Sequence, residues 1–340
     1  MRIRPRSLLA LATAAVVATT LAAPAQAAPA PAPAPPAKAT WWHEVDPRPS
    51  NEEVGRRLDQ LADRSRGRVD VRTIGETNEG RPVWAARVGN GPLRIQYVSQ
   101  QHGNEPLGAP AALEFLRTVG VGNTGWHRWL RSQLTVDVIV RANPDGHARD
   151  WRYNYDPDAD PEYGERGKGY DINRYHNPDL APEDNPATEA GHIQRAWLEF
   201  RPDIVVDYHM QGRYVDDDGR EITASVYWPS ADGVAPEAVD AAKQVSVVAQ
   251  KSIDHLAGGY VSQYPGGTYE GIARNAYGLR GSASVLLELS AMGQEFEQKQ
   301  IRSAYVAMLA IAQTAADGSV DRIDPARADD IPLRGDPIRN

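Results

Sequence analysis

The sequence predicts an α/β protein: a single domain with a mixed parallel and antiparallel central sheet flanked by helices. Short β-rich runs alternate with helical patterns over roughly 280 residues, which is the signature of that layer architecture. Some of the runs, Ile204-Val205-Val206 above all, are continuously apolar, as expected of strands covered on both faces. No internal repeat is visible, so a solenoid or propeller is not indicated.

In chain order, Ser50-Asn51-Glu52-Glu53 fits a capping box, and Val54, Leu58 and Leu61 carry a helix to about Arg64. Val69 to Ile74 and Val83 to Val88 alternate around Thr77-Asn78-Glu79-Gly80 and read as a hairpin. Leu93 to Val98 is a strand, and Pro106 opens a helical pattern with Leu107, Ala111, Leu113, Phe115 and Leu116 on one face. Leu134 to Arg141 is a further strand, ending at the turn signal Asn143-Pro144-Asp145-Gly146. Residues 147–186 show almost no periodicity, and so long a loop in a compact domain points to function or disorder. Helices are expected over Thr188–Phe200, Glu237–Leu256 and Glu295–Ala316, and strands over Ile204–His209, Thr223–Trp228 and Ser284–Leu289.

Residues 1–27 read as a secretory signal. Arg2, Arg4 and Arg6 form a basic start, Leu8 to Leu21 an apolar stretch, and Ala25-Gln26-Ala27 an A-x-A cleavage site. The apolar stretch is short for a membrane span and rich in Ala and Thr. An Ala/Pro-rich linker follows at 28–40, stiff and unable to pack a core. The globular domain is expected over 41–320 and a C-terminal tail over 321–340. A secreted, extracellular protein follows, with no stable membrane association once the signal is removed. The formal charge of −8 argues against nucleic acid or an anionic membrane as partner. There is no cysteine, so any metal must be held by histidine and carboxylate.

Chemistry gathers around Gln100-Gln101-His102-Gly103-Asn104-Glu105-Pro106. A histidine and a glutamate three apart in a strand-to-helix turn can point the same way, and both are ligands that a catalytic zinc accepts. By itself this pair is a weak signal, more often a solvated turn. His209 and Glu288 also lie at or near strand ends, where ligands of open α/β sheets collect.

Over residues 50–315 the chain resembles the zinc metallocarboxypeptidases related to carboxypeptidases A and B, through five separated motifs in that family's order. His102-Gly-Asn-Glu105 matches two zinc ligands and His209 the third, which implies one zinc ion per chain. Trp151-Arg152 matches the arginine that polarises the scissile carbonyl; Arg149 competes, and the preceding Trp151 favours Arg152. Asp171-Ile-Asn173-Arg174 matches a run whose last two residues grip the substrate's terminal carboxylate and whose aspartate holds a ligand histidine in its tautomer. Glu288 matches the general base. The resemblance implies removal of C-terminal residues from peptides or proteins, by a chain expected to act as a monomer.

The match has departures. The family's substrate-covering tyrosine precedes a Gly-Gly pair, as Tyr264 does in Tyr264-Pro265-Gly266-Gly267, but Tyr260 and Tyr269 compete. Direct alignment puts Tyr269 and Glu270 near the floor of the specificity pocket, one favouring apolar and the other basic side chains. Asn104 resembles the regulatory branch of the family. His43, His127, His147, His176, His192 and His255 match no partner motif and read as surface or structural. Asp156, Asp158, Asp160 and Glu162 alternate without a known calcium-loop spacing, so a solvated acidic loop is expected. The competing functions are a deacylase or cell-wall peptide hydrolase with the same zinc site, and a binding module that has lost activity. The retained Arg152 and Glu288 argue against the last.

Overall fold

The computed structural model describes Pro33 and residues 45–339. The expected signal at 1–27, the linker at 28–40 apart from Pro33, and the domain start near Trp41 lie outside the described residues. Among the described residues ten strands run in chain order: β1 Val69–Glu76, β2 Pro82–Gly89, β3 Leu93–Ser99, β4 Leu134–Ile139, β5 Gly164–Glu165, β6 Gly169–Tyr170, β7 Ile204–Gln211, β8 Ala224–Tyr227, β9 Val261–Gln263 and β10 Ala283–Ser290. The α-helices are α1 Asn51–Ser65, α2 Gly108–Leu116, α3 Gly125–Gln133, α4 Pro144–Ala148, α5 Thr188–Phe200, α6 Pro236–Ser252, α7 Ala273–Leu279 and α8 Glu297–Ala316. Among the described residues no helix is long and apolar enough to cross a membrane.

The main sheet has the order β1-β2-β4-β3-β7-β10-β8-β9, and β5 and β6 form a separate two-stranded ribbon. Strands β4, β3, β7 and β10 are mutually parallel, while β2 runs antiparallel to β4 and β8 antiparallel to β10. The mixed sheet expected from the sequence is therefore present. Period-two alternation divides its side chains between two layers. Val206, Tyr208, Val285 and Leu287 join the core under α2, α6 and α8, whereas Val205 joins the smaller core under α5 and α7. By the same alternation Asp207, His209 and Glu288 face the α5/α7 side. The parallel strands discharge at one edge, and the chain leaves β3 for β4 on one side with β7 on the other. That reversal is the crevice position for ligands in such sheets.

Several elements differ from the expectation. The Asn143-Pro-Asp-Gly146 turn opens the short helix α4, because Asn143 caps it by accepting from the Gly146 amide at 2.8 Å and Pro144 is preset for the first helical position. Helix α2 starts at Gly108, two residues later than Pro106 indicated. The long loop is organised by the β5/β6 ribbon and a 3₁₀ turn over Ile172–Arg174. Residues 321–339, read as a C-terminal tail, are docked on the domain. Gln263 donates its backbone N–H to Pro332, Val215 to Asp336 and Ile338 to Arg213, and Ile331 is buried.

Candidate active site and metal centre

The turn after β3 is held in place from several sides. Gln100 takes a left-handed conformation (φ 58°), costly for a residue with a Cβ. Its side chain compensates locally: Nε2 donates to the Gly103 carbonyl at 2.8 Å, and Oε1 accepts from buried Arg141 at 2.7 Å. Gly103 lies against the start of α4 so closely that a Cβ there would sit 2.0 Å from the Gly146 carbonyl carbon. Asn143 completes the clamp by donating to the backbone oxygens of Gln101 and Tyr153 at 3.1 and 3.0 Å.

This scaffold aims His102 and Glu105 at His209 on β7. His102 Nδ1 lies 2.8 Å from Glu105 Oε1, and His209 Nδ1 lies 3.0 Å from His102 Nδ1 and 2.9 Å from Glu105 Oε2. The far nitrogens face carboxylates: His102 Nε2 is 3.1 Å from Asp171, and His209 Nε2 is 2.8 Å from Asp207. Carboxylates there keep the protons on Nε2 and turn both Nδ1 lone pairs inward. Two imidazole lone pairs and a carboxylate then converge with no donor of their own, an arrangement that a cation satisfies. Without one, protons take its place. Burial alone would lower the His209 pKa, but Asp207 and Glu105 raise it well above the ordinary value. Burial would raise Glu105, yet the two imidazoles hold it well below the usual carboxylate range. Among the described residues, these three are the group placed to hold a metal ion, their donor atoms lying within 4.8 Å of one another.

Asp171 does more than hold His102, because its other oxygen accepts from Arg152 Nε and Nη2 at 3.1 and 3.0 Å. Arg152, not Arg149, faces the ligands; Arg149 is turned away onto Glu79. Asp207, which the sequence reading did not assign, begins a buried chain: Gln101 donates to it at 2.7 Å, Gln101 Oε1 lies 2.7 Å from His176 Nε2, and Tyr277 OH lies 3.0 Å from His176 Nδ1. Burial pushes the His176 pKa down to about 3, so it is neutral and structural. Asp207 and His209 stand two apart on one strand, and that spacing was the available signal.

Glu288 lies beside His209 in the parallel register of β10 and β7. Among the described residues its Oε2 has no hydrogen-bond partner, and burial pushes its carboxyl from the ordinary 4.5 to about 7, with His209 restraining the rise and Glu105 adding to it. A cavity of about 380 Å³ opens over this group. His102, Glu105, Arg152, Asn173, Arg174, Tyr264 and Glu288 all line it, so the structure gathers the predicted residues at one cavity. His209 and Asp171 stand behind its wall. The Asn173 amide nitrogen is 3.1 Å from His209 Nε2, and its oxygen accepts from the Ala273 amide. Of the competing tyrosines, Tyr260 donates to Asp216 and Tyr269 packs on Tyr163, which leaves Tyr264 at the cavity. Neither Tyr269 nor Glu270 reaches the floor, because the chain turns inward only afterwards, at Ile272 and Arg274. Arg334, from the docked C-terminal segment, also lines the cavity; it donates to Gln211 at 2.8 Å and covers the Tyr264 ring. Nothing in the local sequence pattern marked Arg334. The Asp156–Glu162 acids form no metal group among the described residues, and Asp160 pairs with Arg166.

The family model described as zinc carboxypeptidase matches residues 55–308. The chain belongs to the zinc carboxypeptidase family. It is therefore a peptidase, and His102, Glu105 and His209 are its zinc site. A comparison with curated proteins finds no match. Among solved structures, this zinc carboxypeptidase shares its fold with carboxypeptidase A from Helicoverpa armigera, at 20% identity, over 78% of this chain and 73% of that one, with a TM-score of 0.62. Bovine thrombin-activatable fibrinolysis inhibitor is similar at 16% identity, over 79% of this chain and 97% of that one, TM-score 0.61. A metallo-carboxypeptidase from Burkholderia cenocepacia is similar at 16% identity, over 77% and 69%, TM-score 0.57.

Proposed function

We propose that this chain is an exported carboxypeptidase that hydrolyses the last peptide bond of a substrate with a free C-terminus, with Glu288 as general base. The observation that carries the reading is the meeting of Glu288, Arg152 and Arg174 with the zinc ligands around one cavity. Zinc in the His102-Glu105-His209 site supplies Lewis acidity and lowers the pKa of water from 15.7 towards ~7. Glu288, at the cavity beside the zinc ligands, takes a proton from the attacking water and returns it to the leaving amine. Arg152, fixed by Asp171, stabilises negative charge that develops on the carbonyl oxygen. Arg174 presents a planar fork to the terminal carboxylate, Asn173 adds a neutral amide, and Tyr264 covers the bound residue. Export rests on the basic, apolar and A-x-A segments of residues 1–27.

The test compares one peptide with a free and with an amidated C-terminus. Loss of a charged hydrogen bond costs about 1.5–3 kcal/mol, so amidation is expected to lower kcat/KM roughly ten- to two-hundredfold. Arg174→Lys should reproduce much of that loss, because an ammonium cannot make the same fork. Equal rates on both peptides by the unaltered enzyme would remove the carboxypeptidase reading and promote the deacylase or cell-wall alternative.

A further inference from the structure

The lining of the cavity carries a charge that the reaction does not use. Arg274, in α7, lines the cavity and is only 1% exposed. Its Nη1 donates to the Trp228 carbonyl at 2.6 Å and to Ser230 Oγ at 3.1 Å, and its Nη2 to the Gly267 carbonyl at 2.8 Å. These acceptors are neutral. Among the described residues its Nε has no acceptor and no carboxylate pairs with it. The ionisable groups that act on it are Tyr227, Tyr264 and a second cation, Arg174. Burial brings its pKa down to about 10, so it keeps its charge at neutral pH.

Arg274 also lies over the Tyr227 ring, 4.7 Å from its centroid, which is again a neutral contact, and the neighbouring cations are committed elsewhere. Arg152 is paired with Asp171, Arg174 is assigned to the terminal carboxylate, and Arg334 donates to Gln211 while covering Tyr264. Carboxylates on the wall are spoken for as well, since Glu105 is a zinc ligand and Glu288 the proposed base. A buried guanidinium without a counter-charge is costly, and neutral carbonyls do not cancel that charge. A floor built for apolar side chains would be apolar throughout, and one built for basic side chains would offer an acid. Instead Ile272, Leu286 and Pro265 supply apolar walls for a short methylene chain beside a cation.

Resting on the carboxypeptidase reading above, we propose that Arg274 is the specificity residue and that the enzyme prefers substrates whose C-terminal residue has an acidic side chain. Arg174 and Arg274 would then take the two carboxylates of a C-terminal glutamate or aspartate. The last residue is released with an unchanged side chain, so this step adds selection and no new chemistry.

The zinc-loaded enzyme is assayed on N-blocked dipeptides that share their first residue and end in Glu, Asp, Gln, Leu or Arg. The Glu peptide should exceed the isosteric Gln peptide in kcat/KM by about 10- to 100-fold, since only the charged partner makes a charge-assisted bond. In Arg274→Met the Glu-to-Gln ratio should collapse towards one. A residue that merely ties the Trp228 and Gly267 loops together would, on replacement, lower all rates by a common factor and leave the ratio intact; that result overturns the proposal. So does a ratio near one in the unaltered enzyme, which decides the matter even if the variant fails to fold. If Leu or Arg peptides are the best substrates, this inference alone falls. If no free-carboxylate peptide is cleaved, the carboxypeptidase reading falls with it.

Discussion

Glu288→Gln turns one carboxylate oxygen into an amide nitrogen at a place where Oε2 has no hydrogen-bond partner among the described residues. Shape is kept, no partner is stranded, and only the titration disappears. As the proposed base, the carboxylate should be missed: kcat is expected to fall at least ~10²-fold, the lower end of general acid–base contributions. The fold should respond in the opposite sense. In metal-free protein the Glu288 pKa stands at about 7 against an ordinary 4.5. Below 4.5 both folded and unfolded chains carry the proton and the group contributes nothing. As pH rises towards 7 the unfolded chain releases its proton first, so the folded state loses stability, and above about 7 the loss levels off. That rise corresponds to about 3 kcal/mol at full extent. The variant lacks this slope and should be more stable than the parent at pH 8, with a smaller advantage at pH 6. Activity is measured on zinc-loaded protein with metal content determined alongside, and stability by denaturant titration after chelation. The reasoning fails if the variant keeps a tenth or more of kcat, loses its zinc, or is destabilised at pH 8.

Zinc should be essential at one ion per chain, and His209→Ala should contain far less of it by metal analysis. Because the His209 pKa is raised well above its ordinary value, zinc must displace a proton: loading the metal-free protein near neutral pH should acidify a weakly buffered solution, and affinity should weaken as pH falls. No proton release would refute the shared Nδ1 site. Exported protein should begin at Ala28 or shortly after by N-terminal sequencing; an intact Met1 on exported material would instead point to an anchor.

The parts of the fold that were legible were those whose apolar pattern is long. β7, β10, α5 and α8 were placed within a few residues of where they lie, because each buries most of a face and tolerates few polar residues. β9 is three residues long and α7 seven, with Arg274, Asn275 and Gly278 inside it, so neither has a period to read. Helix α3 was passed over although Trp126 and Leu130 stand four apart; its entry is tied by His127, whose Nδ1 accepts from the Thr124 amide, instead of the Glu or Gln that marks a capping box. At the site, the zinc ligands, Arg152 and Glu288 were legible because short motifs carry them. Asp207 was hidden inside an apolar strand, and Arg274 and Arg334 reach the cavity through long-range docking that leaves no local trace.

Glu288 and His209 occupy one row of neighbouring parallel strands in the middle of the sheet. Their backbones are therefore held at the interstrand repeat of ~4.8 Å, a spacing that no loop has to maintain. The proposed proton carrier and a metal-holding imidazole thus inherit the endurance of the most cooperative part of the molecule. The proposed contacts to substrate come from elsewhere, on the 147–186 loop, the Tyr264–Gly267 turn and the docked C-terminal segment. Variation in those segments can rework the grip while the Glu288–His209 pair keeps its register.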